Sequence, residues 1–178
     1  MFAASLFALG LAATAFAQAP EGYSTVYLTS KVDVKYVIVP AKAEAGGALA
    51  VQVRDDSVGQ QWYIKQGSSH IQLAETTLCI DAGAQSNWKD MALIHLAECD
   101  EAAPGQIWDV KEDGRIAVEA SPAPQECIDL QYMRATPGNP VGLYTCAGLG
   151  GIGAADAGLN WPQVEVATEA APMGGMAP

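Results

Sequence analysis

The chain has 178 residues, enough for one core of ordinary size but not for two. Nine basic residues against twenty acidic ones give a formal charge of −11, so phosphate backbones and anionic lipid surfaces repel it and nucleic acid is excluded as a partner. Half of the residues are hydrophobic, yet the first apolar stretch, with a membrane anchor as its alternative reading, is short for a membrane span, and no other segment approaches the roughly 20 apolar residues one needs.

Residues 1–17 carry no charged side chain and end in Ala15-Phe16-Ala17 before the polar Gln18. Small residues at the first and third positions before a polar one read as a signal-peptidase site. A signal peptide over 1–17 and a secreted, extracellular protein are therefore expected.

From about residue 21 the chain reads as three units. The first, 21–67, contains the short runs Val26-Tyr27-Leu28, Val32-Asp33-Val34, Val37-Ile38-Val39 and Val51-Gln52-Val53, and ends near Gln60-Gln61-Trp62. Runs this short, often alternating and separated by turn residues, predict strands rather than helices. The second, 68–114, repeats the order with Ile71-Gln72-Leu73, Cys79-Ile80-Asp81, Cys99 and Gln106-Ile107-Trp108. The third, 115–166, has Ile116-Ala117-Val118, Cys127-Ile128-Asp129, Cys146 and Leu159-Asn160-Trp161, with an insertion before the tryptophan. In the first unit Val53 stands nine residues before Trp62, as Cys99 stands nine before Trp108, and is taken as the counterpart of the second cysteines. Residues 167–178, rich in Ala, Pro, Gly and Met, read as a disordered tail.

A unit of about 45 residues with four short strands cannot bury its own apolar face, so three must share one core. A trefoil suits that arithmetic; a propeller would need more blades. Four cysteines allow three pairings, and the sequence does not choose among them. The near-equal spacings of 20 and 19 residues suit pairing each with its neighbour, closing two loops worth about 3 kcal/mol apiece, and secretion favours disulfides. With no Cys-x-x-Cys, and His70 and His95 the only histidines, neither a zinc site nor a cofactor is expected.

Gln-x-Trp at about 45-residue intervals, in register with Cys-Ile-Asp and a second cysteine about 20 residues on, resembles the ricin B-chain type of β-trefoil lectin domain. The resemblance runs from about Tyr23 to Val166. It implies an all-β chain, a six-stranded barrel capped by three hairpins, with the repeat tryptophans in the core. It also implies sugar pockets made of a carboxylate after the first cysteine, an aromatic two residues before the second, and amides near Gln-x-Trp. The chemistry is apt, because a carboxylate accepts from neighbouring hydroxyls, an aromatic face covers the C–H side of a pyranose, and amides donate and accept.

The first unit, with Val39 and Val51 at those positions, is expected to bind nothing. The second keeps Asp81, His95 and Gln106 but has Ala97 in place of the ring, with Trp88 as a possible substitute from another direction. The third keeps Asp129 and Tyr144 but replaces the amides with Gly158 and Leu159, leaving Asn160 or Asp156 to compensate. A structural role for both aspartates, capping turns, competes with the sugar role.

Gly148 to Gly153 fits G-x-G-x-x-G, but a nucleotide site needs a parallel strand before it and a helix after it, which this chain is not expected to supply. Adjacent Ser69 and His70 point to opposite faces of a strand, and Asp81 and Asp129 belong to separate units, so catalysis is not expected. The expected protein is a non-catalytic glycan-binding module with one or two weak sites. Its rival is an accessory subunit riding on a secreted partner enzyme, resembling the non-catalytic subunits that accompany some fungal oxidases such as laccases.

Overall fold

The computed structural model describes residues 19–147 and 156–167. The expected signal peptide, the Gly148–Gly153 run and all of the expected tail except Ala167 lie outside the described residues.

Among the described residues there are thirteen strands, linked by turns and single 3-10 turns. The first unit supplies β1 (Ser24–Leu28), β2 (Tyr36–Pro40), β3 (Leu49–Val53) and β4 (Trp62–Ile64). The second supplies β5 (Gly67–Ser69), β6 (Gln72–Leu73), β7 (Leu78–Asp81), β8 (His95–Glu98) and β9 (Trp108–Val110). The third supplies β10 (Ile116–Val118), β11 (Glu126–Leu130), β12 (Val141–Thr145) and β13 (Gln163–Glu165). The extra strand arises because the first strand of the second unit is interrupted: β5 pairs with β9 and β6 with β4.

The outer strands of each unit build the barrel. β1 pairs with both β13 and β4, and β9 with both β5 and β10. The Trp161 N–H donates to Gly114 O at 2.7 Å, tying the approach to β13 back to the start of β10. The inner strands form hairpins β2–β3, β7–β8 and β11–β12, in which Ile38, Ile80 and Ile128 stand opposite Val51, Leu96 and Leu143. Cross-hairpin bonds close a triangular cap: Leu49 N–H to Ile94 O, Val51 N–H to Asn139 O and Leu143 N–H to Ala92 O. The architecture is a β-trefoil.

Three tryptophans fill the space between barrel and cap. Trp62, Trp108 and Trp161 are all fully buried. Their indole N–H groups donate to Ile38 O, Ile80 O and Ile128 O, each at 3.0 Å. One contact repeated three times places the rings equivalently about an axis, and each ring fastens its own hairpin to the barrel.

The disulfides are Cys79–Cys99 and Cys127–Cys146, with Cα–Cα distances of 5.0 and 5.1 Å. Each joins the first strand of a hairpin to the residue just after its second. Breaking one by a double Cys→Ala change is expected to lower the unfolding free energy by about 3 kcal/mol, measured by urea titration; no loss would show that the unfolded chain gains nothing from the open loop.

The first unit corrects one reading. Cys99 N–H donates to Thr77 O and Cys146 N–H to Gln125 O, and the matching bond in the first unit is Arg54 N–H to Lys35 O. Arg54, not Val53, is therefore the counterpart of the second cysteines. It follows from the register that Gln52, paired with Val37, rather than the buried Val51, holds the aromatic position. The slip arises because this unit is one residue shorter between hairpin and tryptophan turn. Where the other units carry a disulfide, this one packs Tyr27 against Val37 and Val39 and lays the Arg54 guanidinium 4.1 Å over the Tyr27 ring.

Candidate carbohydrate-binding sites

Asp81 ends β7 and stands opposite His95, which begins β8. Its Oδ1 accepts the Gly83 N–H at 2.6 Å and its Oδ2 accepts from Gln106 Nε2 at 3.0 Å. Gln106 also donates to Glu98 O and accepts the Asp100 N–H. Buried and fully engaged, Gln106 orients Asp81 rather than reaching solvent. Gln60 makes the matching bonds, to Val53 O and from Asp55 N–H, so this glutamine braces the turn even where no carboxylate is present.

A cleft of about 460 Å³ joins Asp81 and His95 to Asn87, Lys89, Leu93 and Ala97. No ring covers it. Trp88 is not among its lining residues: its indole N–H donates to Gly83 O at 3.1 Å, and the ring packs against the core.

The third unit differs in the feature that matters most for chemistry. Asp129 on β11 stands opposite Gly142 on β12, and Tyr144 stands opposite Cys127 two positions further along. A side chain at position 142 would put its Cβ 2.4 Å from Ala92 O, so only glycine lets the two units meet here. Leu159 occupies the position of Gln106, fully buried against Ala117 and the Cys127–Cys146 disulfide, and it offers no donor. Gly83 is replaced by Gln131, whose N–H donates instead to Pro140 O. Asp129 thus lacks both of the bonds that hold Asp81. No hydrogen-bond donor among the described residues reaches its carboxylate, although the residue is only 5% exposed.

Asp156 returns to this place from across the insertion. Its Oδ1 accepts the Gly158 N–H at 2.8 Å. A Cβ at Gly158 would lie 2.8 Å from Asp129 Oδ1 and 3.1 Å from Asp156 Oδ1, so the two carboxylates flank that glycine. Burial, then Asp156, then Asp90 raise the Asp129 pKa to about 7. Burial and Asp90 also raise the carboxyl of Glu126. Asn160 turns away, donating to Asp113 O.

Asp129, Tyr144 and Asp156 line one cleft of about 510 Å³ with Met91, Tyr132 and Met133. The last three were not legible as site residues. Tyr132 and Met133 follow β11 in the left-handed region, at φ 59° and 49°. Tyr132 is 74% exposed and Tyr144 39%, so two rings border a floor of carboxylates. Met91 comes from the second unit, held by its N–H to Leu143 O at 2.8 Å. Nearby, Asp90 Oδ1 accepts from both Thr145 N–H and Thr145 Oγ1. Elsewhere, Ser69 Oγ donates to His70 O, so the adjacent pair forms no side-chain dyad.

The ricin-type β-trefoil lectin domain matches the sequence over residues 24–122 and 67–153, and the chain belongs to that family. No curated protein matches the chain in sequence. Among solved structures it is similar to ThreeFoil, a designed 3-fold symmetric protein, at 15% identity over 80% of this chain and 99% of that one, with a TM-score of 0.67. The C-half of an earthworm R-type lectin, solved with GalNAc, covers 80% of this chain and 99% of its own at 17% identity, TM-score 0.60. The β-trefoil lectin of the Vibrio vulnificus hemolysin/cytolysin, solved with N-acetyl-D-lactosamine, covers 84% and 100% at 14% identity, TM-score 0.59.

Proposed function

We propose that the chain is a secreted, non-catalytic module that binds glycans chiefly at the Asp129–Tyr144 cleft, with a second, weaker site at Asp81 and His95. The observation that carries this is the convergence of a carboxylate, an exposed ring opposite its strand and a second ring in one open cleft of about 510 Å³. A pyranose presents hydroxyls to such a carboxylate and C–H groups to such rings. At the second site Asp81 spends two of its acceptor positions on Gly83 and Gln106, and among the described residues no tyrosine, phenylalanine or tryptophan lines the cleft, which is why it ranks below. Gln106 serves there as a positioning residue. Secretion is supported by the two disulfides, a mark of oxidising compartments.

Tyr144→Ala is expected to weaken binding to immobilised glycans about tenfold with the fold intact, since the ring is partly exposed. Asp129→Asn tests the carboxylate in the same assay. If both variants bind as the parent does, or the parent binds no glycan, the reading fails.

A second reading, a protein-binding accessory subunit of a secreted enzyme, draws on the exposed apolar side chains Val34, Val53 and Val58 of the first unit. Co-purification with an enzyme that survives deglycosylation of that enzyme would favour it.

A further inference from the structure

We infer that the third-unit cleft selects a glycan carrying a free, protonated amine, a de-N-acetylated hexosamine, over its neutral N-acetyl counterpart. This rests on the glycan-binding reading and names the substrate class of that site.

Among the described residues, the Asp129 carboxylate lacks a hydrogen-bond donor. Asp129 is more than nine-tenths buried, lines the cleft, and receives no hydrogen bond from the described residues. Its counterpart Asp81 receives two. A buried carboxylate without donors is unfavourable, and the missing donors must come from a ligand or from solvent. Asp156 places a second carboxylate against Gly158 beside Asp129, and among the described residues no lysine, arginine or histidine lines the cleft. The second-unit cleft, by contrast, has Lys89 and His95 beside an aspartate already satisfied within the protein. One cleft thus holds an aspartate already engaged within the protein; in the other, among the described residues, Asp129 has neither a donated hydrogen bond nor a positive charge beside it.

An alkylammonium supplies both. It donates three hydrogen bonds, and charge-assisted bonds to carboxylates are about twice as strong as neutral ones. The remaining wall suits it as well, because Tyr132 and Tyr144 line it with aromatic rings, whose faces attract cations, and Met91 and Met133 add polarisable sulfur. An N-acetyl group offers one amide N–H and a methyl that would have to face Asp129 and Asp156. The two rings fit the C–H face of a sugar, which a bare lysine side chain lacks.

Protonation gives the site a signature. The groups facing Asp129 are Asp156 and Asp90, with Tyr132 and Tyr144 at the rim and Glu126 beside Asp90, and none is cationic. An ammonium lowers the Asp129 pKa from its free value, so binding below neutrality releases a proton and tightens as the pH rises from about 5 to about 7.

The test is calorimetric titration of the full chain with a glucosamine tetramer and an N-acetylglucosamine tetramer near pH 7, repeated near pH 5. The expected result is at least tenfold tighter binding of the amine at pH 7, shrinking toward pH 5, with proton release visible across buffers of different ionisation enthalpy. Asp129→Asn, of nearly equal shape, is expected to remove the preference; Glu44→Gln, with the same charge change far from the cleft, is expected to keep it. Tyr132→Ala, at an exposed position, is expected to weaken both ligands without unfolding the chain. Equal or tighter binding of the N-acetyl tetramer, or binding of neither tetramer, overturns the inference while leaving the glycan reading intact; binding of no immobilised glycan at all overturns both. A preference that survives in Asp129→Asn, or falls equally in Glu44→Gln, reports only general attraction to an acidic protein and overturns it. So does Nα-acetyl-lysine amide binding as tightly as the glucosamine tetramer, or calcium alone binding in the cleft and abolishing the preference.

Discussion

Trp161→Ala is expected to lower the unfolding free energy by about 3 to 5 kcal/mol, the usual range for deleting a buried aromatic side chain. The ring is fully buried, and its removal leaves Ile128 O without the indole donor at 3.0 Å. A buried acceptor left unpaired adds about 1 to 3 kcal/mol, so the upper end is favoured. Domains of this kind are stable by about 5 to 15 kcal/mol in all, and such a loss brings the variant close to its unfolding transition at ambient temperature. Trp161→Phe separates the two contributions, because it keeps most of the apolar area and loses only the hydrogen bond. Since Trp62 and Trp108 make the same contact with Ile38 O and Ile80 O, their alanine variants should fall within about 1 kcal/mol of Trp161→Ala in urea titrations. A wide spread among the three would contradict equivalence about the axis.

The second large effect is a pH dependence. The folded-state pKa of Asp129 is about 7, against 3.8 for an ordinary aspartate. The folded chain therefore holds this proton more tightly than the unfolded chain does. The associated stability is fully present below about pH 4 and is lost as the pH rises through about 7, a total of about 4 kcal/mol. Asp129→Asn cannot ionise. It should match the parent near pH 4 and exceed it by up to about 4 kcal/mol near pH 8, read from urea titrations at both values. The comparison with the variant is necessary because other carboxylates act in the opposite sense. Asp113, lowered chiefly by its hydrogen bond from Arg115, contributes stability above the carboxylate range that is lost on acidification. Parallel pH curves for parent and Asp129→Asn would refute the assignment.

The pseudo-threefold plan was legible because its markers are chemical as well as periodic. Tryptophan, Cys-Ile-Asp and the second cysteine recur in one order, and each recurrence answers to one repeated contact. Where a unit lacks cysteines the anchor is lost, and the register of the first unit slips by one residue between Val53 and Arg54. Asp129 and Tyr144 were legible for the same reason: a hairpin fixes which residues of its two strands share a face. Tyr132 and Met133 were not, since a left-handed turn has no periodic signature, and Met91 reaches the cleft from a neighbouring unit. Gln106 looked like a ligand contact because amides suit sugars; its burial among Asp81, Glu98 and Asp100 makes it the brace of the carboxylate.

The contribution of Asp90 and Met91 to the third unit has a consequence for how such a chain arises by duplication. A solitary ancestral copy would have had no neighbour to provide them, and the carboxylate cleft would have opened to water on that side. The cleft is a property of the junction between copies, so divergence at residues 88–92 of one repeat reshapes the cleft of the next as directly as changes in the next repeat itself.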